Sequence, residues 1–121
     1  MVRPTFALAA VLSVASISLA GDLVTAPVFV GSDNEASCIL VNITSAPITA
    51  QLQLIAANGT VLNASLPETV GAGQVVRIAV LDPGTTVYCR FVKASKGKVR
   101  ATLAVALLSG DGTDTTVVAA Q

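Results

Sequence analysis

The sequence predicts an all-β protein, an antiparallel sandwich of about seven to eight strands. Three observations carry this expectation. Short apolar runs alternate with period two, turn residues recur about every ten positions, and the only two cysteines, Cys38 and Cys89, each lie inside such a run. No stretch shows the periodicity of an amphipathic helix.

The first segment reads as an export signal. Arg3 is followed by an uncharged run from Phe6 to Ala20, with Ser18 and Ala20 at the small-residue positions before a cleavage point. That run is about fifteen residues long, short of the roughly twenty that a membrane-spanning helix needs. Residues 1–20 are therefore expected as a removed signal-peptide helix, 21–34 as an N-terminal segment with the first strand, and 35–121 as the sandwich core, one domain together with 21–34. About a hundred residues support a single hydrophobic core.

The strands follow in order. Leu23 to Val30 is the first. Ser37 to Thr44 is the second, and its facing is open: Ile39, Val41 and Ile43 compete with Cys38, Leu40 and Asn42 for the inward side, as in a bulged strand or one apolar on both faces. Ile48, Ala50, Leu52 and Leu54 share one face of the third, Asn58-Gly59 turns the chain, and Thr60 to Leu66 returns. After Pro67 and Gly71-Ala72-Gly73 come Val76, Ile78 and Val80 on one face, with Arg77 opposite. Asp82-Pro83-Gly84 precedes a strand with Val87, Cys89 and Phe91 inward and Tyr88 and Arg90 outward. Lys96-Gly97 is the next turn, and Val99, Ala101, Leu103, Val105 and Leu107 form the longest apolar face. Gly110-Asp111-Gly112 leads to a last strand around Thr115 to Ala120.

Export puts both thiols where disulfides persist, and two cysteines allow one intramolecular pairing, Cys38 with Cys89. No C-x-x-C pattern is present, so the pair reads as a staple and not as a redox centre. Whether it joins two sheets or neighbouring strands stays open, because the facing of the Cys38 strand does.

Two inward cysteines about fifty residues apart in such a strand pattern resemble an immunoglobulin-like or fibronectin type III-like sandwich. The chain has no Trp to pack on the bridge, and Tyr88 lies one position before Cys89, not two. The segments C-I-L-V-N-I-T, A-N-G-T-V-L, Y-C-R-F and V-R-A-T-L-A-V also resemble small exported bacterial proteins of unassigned function. That resemblance implies the fold and export, and no activity.

Composition removes several classes of function. There is no histidine, which excludes Ser-His and Cys-His nucleophiles and the usual zinc ligands. Neither the phosphate-cradling G-x-x-x-x-G-K-[ST] loop nor the dinucleotide G-x-G-x-x-G pattern occurs. Past the signal the aromatic residues are Phe29, Tyr88 and Phe91, few for a sugar platform. Without Arg3, six basic residues face seven acidic ones, a net charge of −1 and no footprint for nucleic acid.

The candidate sites are ionic. Five of the six remaining basic residues, Arg90, Lys93, Lys96, Lys98 and Arg100, surround one expected hairpin. With strands alternating in direction, Asp33, Glu35, Asp82, Asp111 and Asp114 gather at the opposite end. Lys93, Lys96 and Lys98 are the candidate interaction surface, for an anionic partner or for head-to-tail self-association. Asp33, Glu35, Asp111 and Asp114 are candidate calcium ligands by chemistry, although their spacing matches no EF-hand. Asn42-Ile43-Thr44, Asn58-Gly59-Thr60 and Asn63-Ala64-Ser65 fit the glycosylation triplet and are expected bare in a bacterial protein.

The resulting expectation is a secreted or periplasmic, non-enzymatic binding or structural module of the cell envelope. It has no cofactor, no catalytic residue, no nucleic-acid partner and no membrane span once the signal is gone; the partner is an unidentified protein or envelope component, or a second copy. The alternatives are a small hydrolase or hydrolase inhibitor acting through surface loops, and an adhesin or fibre-like subunit associating through edge strands.

Overall fold

The computed structural model describes residues 21–107 and 115–120. The expected signal-peptide helix at 1–20 and the Gly110-Asp111-Gly112 turn lie outside the described residues. The strands are β1 (Asp22–Val24), β2 (Val28–Val30), β3 (Asn34–Asn42), β4 (Ile48–Ala56), β5 (Val61–Ala64), β6 (Glu68–Val70), β7 (Val75–Leu81), β8 (Thr85–Val92), β9 (Val99–Leu107) and β10 (Thr115–Ala119). They form two antiparallel sheets. In the first, β8 and β4 pair at the centre, β1 and β2 line the outer side of β8, and β5 and β6 line that of β4. The second has the order β10-β9-β3-β7. The described residues contain no helix.

One run expected as a single strand, Leu23 to Val30, is split, and proline is the reason: Pro27 separates β1 from β2, where a residue without an N–H cannot continue a ladder. The Thr60 to Leu66 run ends before Pro67 as expected, but beyond it Glu68–Val70 forms a further short strand, β6, that no sequence signal marked. Thr25 repairs the gap between β1 and β2. Its N–H donates to the Cys89 carbonyl at 3.0 Å, and its Oγ1 accepts the Cys89 N–H at 2.9 Å. Thr25 is buried, so replacing it with the isosteric valine leaves that N–H without a partner. Thr25→Val is expected to cost about 1–2 kcal/mol, read as a lower urea midpoint at unchanged slope.

The core is made by the inward rows of both sheets. Leu52, Leu54, Val87, Cys89 and Phe91 of the first face Ala36, Cys38, Leu40 and Leu103 of the second, all buried, with Val76, Ile78 and Val80 packed at the margin. The facing of β3 is thereby decided. Its register with β7 and β9 runs without interruption, so there is no bulge; Cys38, Leu40 and Asn42 point inward. Ile39 and Val41 remain half-buried on the outer face because β3 is central and a long arginine lies beside each: Ile39 pairs with Arg77 and Thr102, Val41 with Val75 and Arg100.

Cys38 on β3 and Cys89 on β8 form a disulfide, with both residues fully buried and their Cα atoms 5.7 Å apart. The staple therefore joins the two sheets. Residues 93–98, read as a hairpin turn, instead carry the chain from β8 in one sheet to β9 in the other, and β8 and β9 do not pair. The turn itself is where it was expected: Lys98 N–H donates to the Ser95 carbonyl at 3.0 Å around Gly97 at φ 91°. Asn58-Gly59 does close a hairpin, with Gly59 at φ 94° next to a register shift after Leu54.

The outer strands are arranged unlike those of an immunoglobulin constant domain. There the first strand joins the sheet of the first cysteine and the last strand joins that of the second. Here β1 and β2 lie in the sheet of Cys89, while β9 and β10 lie in that of Cys38. One isolated bridge, Thr25 with Ala120, links the two sheets along this flank.

Candidate functional site

The antiparallel register sets the ends of the sandwich. Asn34, Leu81 and Leu107 are level at one end; Val41 and Asn42, Val75 and Val99 are level at the other. At the first, Asp33 and Asp82 come together although 49 positions apart: the Asp33 N–H donates to Asp82 Oδ1 at 2.6 Å, and the Asp82 N–H donates to the Asn34 carbonyl at 2.9 Å. Both residues have positive φ, 66° and 51°, which the short polar side chain of aspartate tolerates better than most.

Glu35, at the same end, has its carboxylate engaged elsewhere. Its carboxylate accepts a hydrogen bond of 2.6 Å from Arg77 Nη2 on the outer face of the second sheet, where Arg77 also donates to Ser37 Oγ at 2.9 Å. Among the described residues no group of three or more acidic, cysteine or histidine side chains converges on a common point. Asp111 and Asp114, the other calcium candidates, lie outside the described residues.

Lys93, Lys96 and Lys98 are at the opposite end, in the connection from β8 to β9, with Arg100 beside them on β9. Of the six cations described, Arg77 and Arg90 are ion-paired, Arg90 through Nε and Nη2 to Asp22 Oδ2 at 3.0 and 2.7 Å. Asp22 also accepts the Lys93 N–H through Oδ1 at 3.2 Å, which fixes the start of the lysine loop against β1. The three lysines and Arg100 form no ion pair among the described residues. A pocket of about 230 Å³ lies beside them, lined by Leu23, Val99, Ala101, Thr102, Ala119 and Ala120; of the four cations, Lys96 and Arg100 border it. Such a surface offers an anion Coulombic attraction and little desolvation, because the cations are exposed.

The glycosylation triplets have structural roles at two of three positions. Asn42 is fully buried; its Nδ2 donates to the Ala46 and Val70 carbonyls at 2.8 and 2.9 Å, and its Oδ1 accepts from Thr44 N–H and Oγ1 at 2.9 and 2.7 Å. Asn63 Nδ2 donates to the Ala79 carbonyl at 2.9 Å, tying β5 to β7. Asn58 lies in the exposed hairpin turn.

A second cleft, about 540 Å³, runs between the edges of the two sheets and is lined by Val24, Thr25, Ala26, Val117, Val118 and Ala119. No sequence signal marked it. It arises from the placement of β1 and β10 in different sheets, a consequence of pairing and not of any local motif.

No known protein family and no curated protein matches the sequence. Among solved structures, the crystal structure of Thermotoga maritima 1070 superposes with a TM-score of 0.58 at 5% identity, covering 84% of this chain and 93% of that one. FlgD from Xanthomonas campestris, described in the context of hook capping in flagellar assembly, aligns over 88% of this chain and 72% of its own with a TM-score of 0.31 at 16% identity. The first likeness places the chain among small β-sandwich proteins. It extends to the fold alone.

Proposed function

We propose that this protein is an exported, non-enzymatic binding or structural module of the cell envelope, with an immunoglobulin-like inner core. The observation that carries the reading is the fully buried Cys38–Cys89 bridge between the sheets. Disulfides of this kind persist in oxidising compartments and are rare in the cytosol. A charged residue followed by a short apolar run at 1–20 supports the same destination. The absence of histidine from the sequence, and of any nucleotide-binding pattern, supports a non-enzymatic role.

The lysine end and Arg100 are the surface offered to a partner, an unidentified protein or envelope component. The intact mass of protein recovered from its source is the test. The expected value is that of residues 21–121 less two hydrogens, in the periplasmic or secreted fraction. A mass retaining residues 1–20, or recovery of the dithiol from the cytosol, would overturn the reading.

A further inference from the structure

Among the described residues four strand edges are open at the margins of the two sheets, and three of them carry features that obstruct further pairing. The β1–β2 edge consists of two three-residue strands divided at Pro27. The β5–β6 edge is likewise short, divided at Pro67, and carries Glu68. The β7 edge carries Arg77, and its Ala79 carbonyl is already taken by Asn63 Nδ2. Short strands, proline, charge and covering side chains are the devices by which natural sheets avoid edge-to-edge association.

Among the described residues the fourth edge, β10, has none of them. Thr115-Thr116-Val117-Val118-Ala119 contains no charge, no proline and no glycine, and four of its five residues, Thr115 to Val118, are β-branched. Its hydrogen-bond phase follows from the ladder. Ala120 N–H donates to the Ala101 carbonyl at 2.8 Å, so in the alternating antiparallel pattern Val118 and Thr116 also bond toward β9, while Val117 and Thr115 direct N–H and C=O away from it. Those groups face the side on which the 540 Å³ cleft lies, and Val117 is 60% exposed. Among the described residues the only bridge on this side is Thr25 with Ala120, at the far end of the strand.

We infer that β10 is an interaction edge whose partner is the β10 of a second copy, paired antiparallel about a two-fold axis so that the second sheet continues from one molecule into the next. The occupant follows from self-complementarity. An antiparallel pairing of two identical uncharged strands opposes no like charges, and the outward groups of Thr115 and Val117 meet the same groups of the other copy in register. This inference is independent of the compartment in which the protein resides.

Sedimentation of the purified protein across a concentration series tests it, with Val117→Pro and Val117→Lys beside the wild type. Proline at Val117 removes an N–H that makes no bond to β9, and lysine adds charge at an exposed position, so both variants should keep the fold, checked by circular dichroism and melting. The expected result is a wild-type dimer whose mass falls by half in both variants, and a dimer retained when Lys93, Lys96 and Lys98 are all changed to serine. A monomeric wild type overturns the inference, whatever else the edge then binds. So does a dimer that survives Val117→Pro or Val117→Lys, or one abolished by the lysine changes.

Discussion

Replacing Cys38 and Cys89 together by alanine is expected to lower stability by about 4 kcal/mol, the chain-entropy value for a closed loop of this length. The bridge spans 51 positions and encloses most of β3 to β8, so its removal releases the unfolded chain more than any other single change could. The folded state loses packing as well. Cys38 stands between Ile78 and Leu103 in its sheet and Cys89 beside Leu54 in the other, so the missing sulfurs leave a void between the sheets. Alanine is the informative replacement, since serine would add buried hydroxyls. In urea, with a slope of about 2 kcal/mol per molar, the midpoint should fall by about 2 M. A decrease below about 1 kcal/mol would show that strain in the native bridge cancels most of its benefit.

The second large effect is expected at Asn42. Its amide is fully buried and makes four hydrogen bonds, to Ala46, Val70 and twice to Thr44, which together shape the connection from β3 to β4 and tie it to β6. Asn42→Ala leaves two carbonyls and the Thr44 N–H to find other partners, at a cost of about 3 kcal/mol. Asn42→Asp is the sharper experiment. It keeps the shape and the Oδ1 acceptor but turns a carboxylate toward the Ala46 and Val70 carbonyls, which raises the pKa of the new group in the folded state. A folded pKa above the unfolded one makes stability highest at low pH and lost as pH rises through the carboxylate range. Asn42→Asp should therefore be closer to wild type near pH 4 than at pH 7, and urea midpoints at the two values read this directly. Equal losses at both would argue that the carboxylate reaches water.

The Asn42 network also shows why a sequence triplet can mislead. Asn42-Ile43-Thr44 has the pattern of a glycosylation site, yet a sugar would replace one of two amide hydrogens that are both donated to backbone carbonyls inside the protein. The Thr44 hydroxyl that completes the pattern donates to Asn42 Oδ1 instead. Nothing in the triplet distinguishes these roles, because Val70, which takes one of the hydrogens, lies 28 positions away.

Facing was legible wherever alternation was clean. The inward rows Ile48-Ala50-Leu52-Leu54, Val87-Cys89-Phe91 and Val99-Ala101-Leu103-Val105 are all at the core or its margin, while Leu107, the last residue of the third row, is half-buried outside the core cluster. It was illegible in β3, where a central strand carries apolar residues on both sides and only its neighbours, Arg77 and Arg100 among them, decide which side is covered by what. For the candidate sites, the separation of Lys93, Lys96 and Lys98 from Asp33 and Asp82 followed from strand direction. The engagement of the Glu35 carboxylate by Arg77 did not, because the two lie 42 positions apart along the chain.

Local sequence patterns suffice for the all-β class, the approximate strands and the positions of the turns at Gly59, Gly73 and Gly97, since alternation and left-handed backbone are properties of a few adjacent residues. Tertiary structure alone decided which turns close a hairpin and which cross between sheets, that the Cys38–Cys89 staple joins the two layers, and that β1 and β10 face each other across an open cleft. The same turn chemistry serves a hairpin and a crossing equally well. The choice is made by side chains far apart in sequence, through the apolar surface that each arrangement buries.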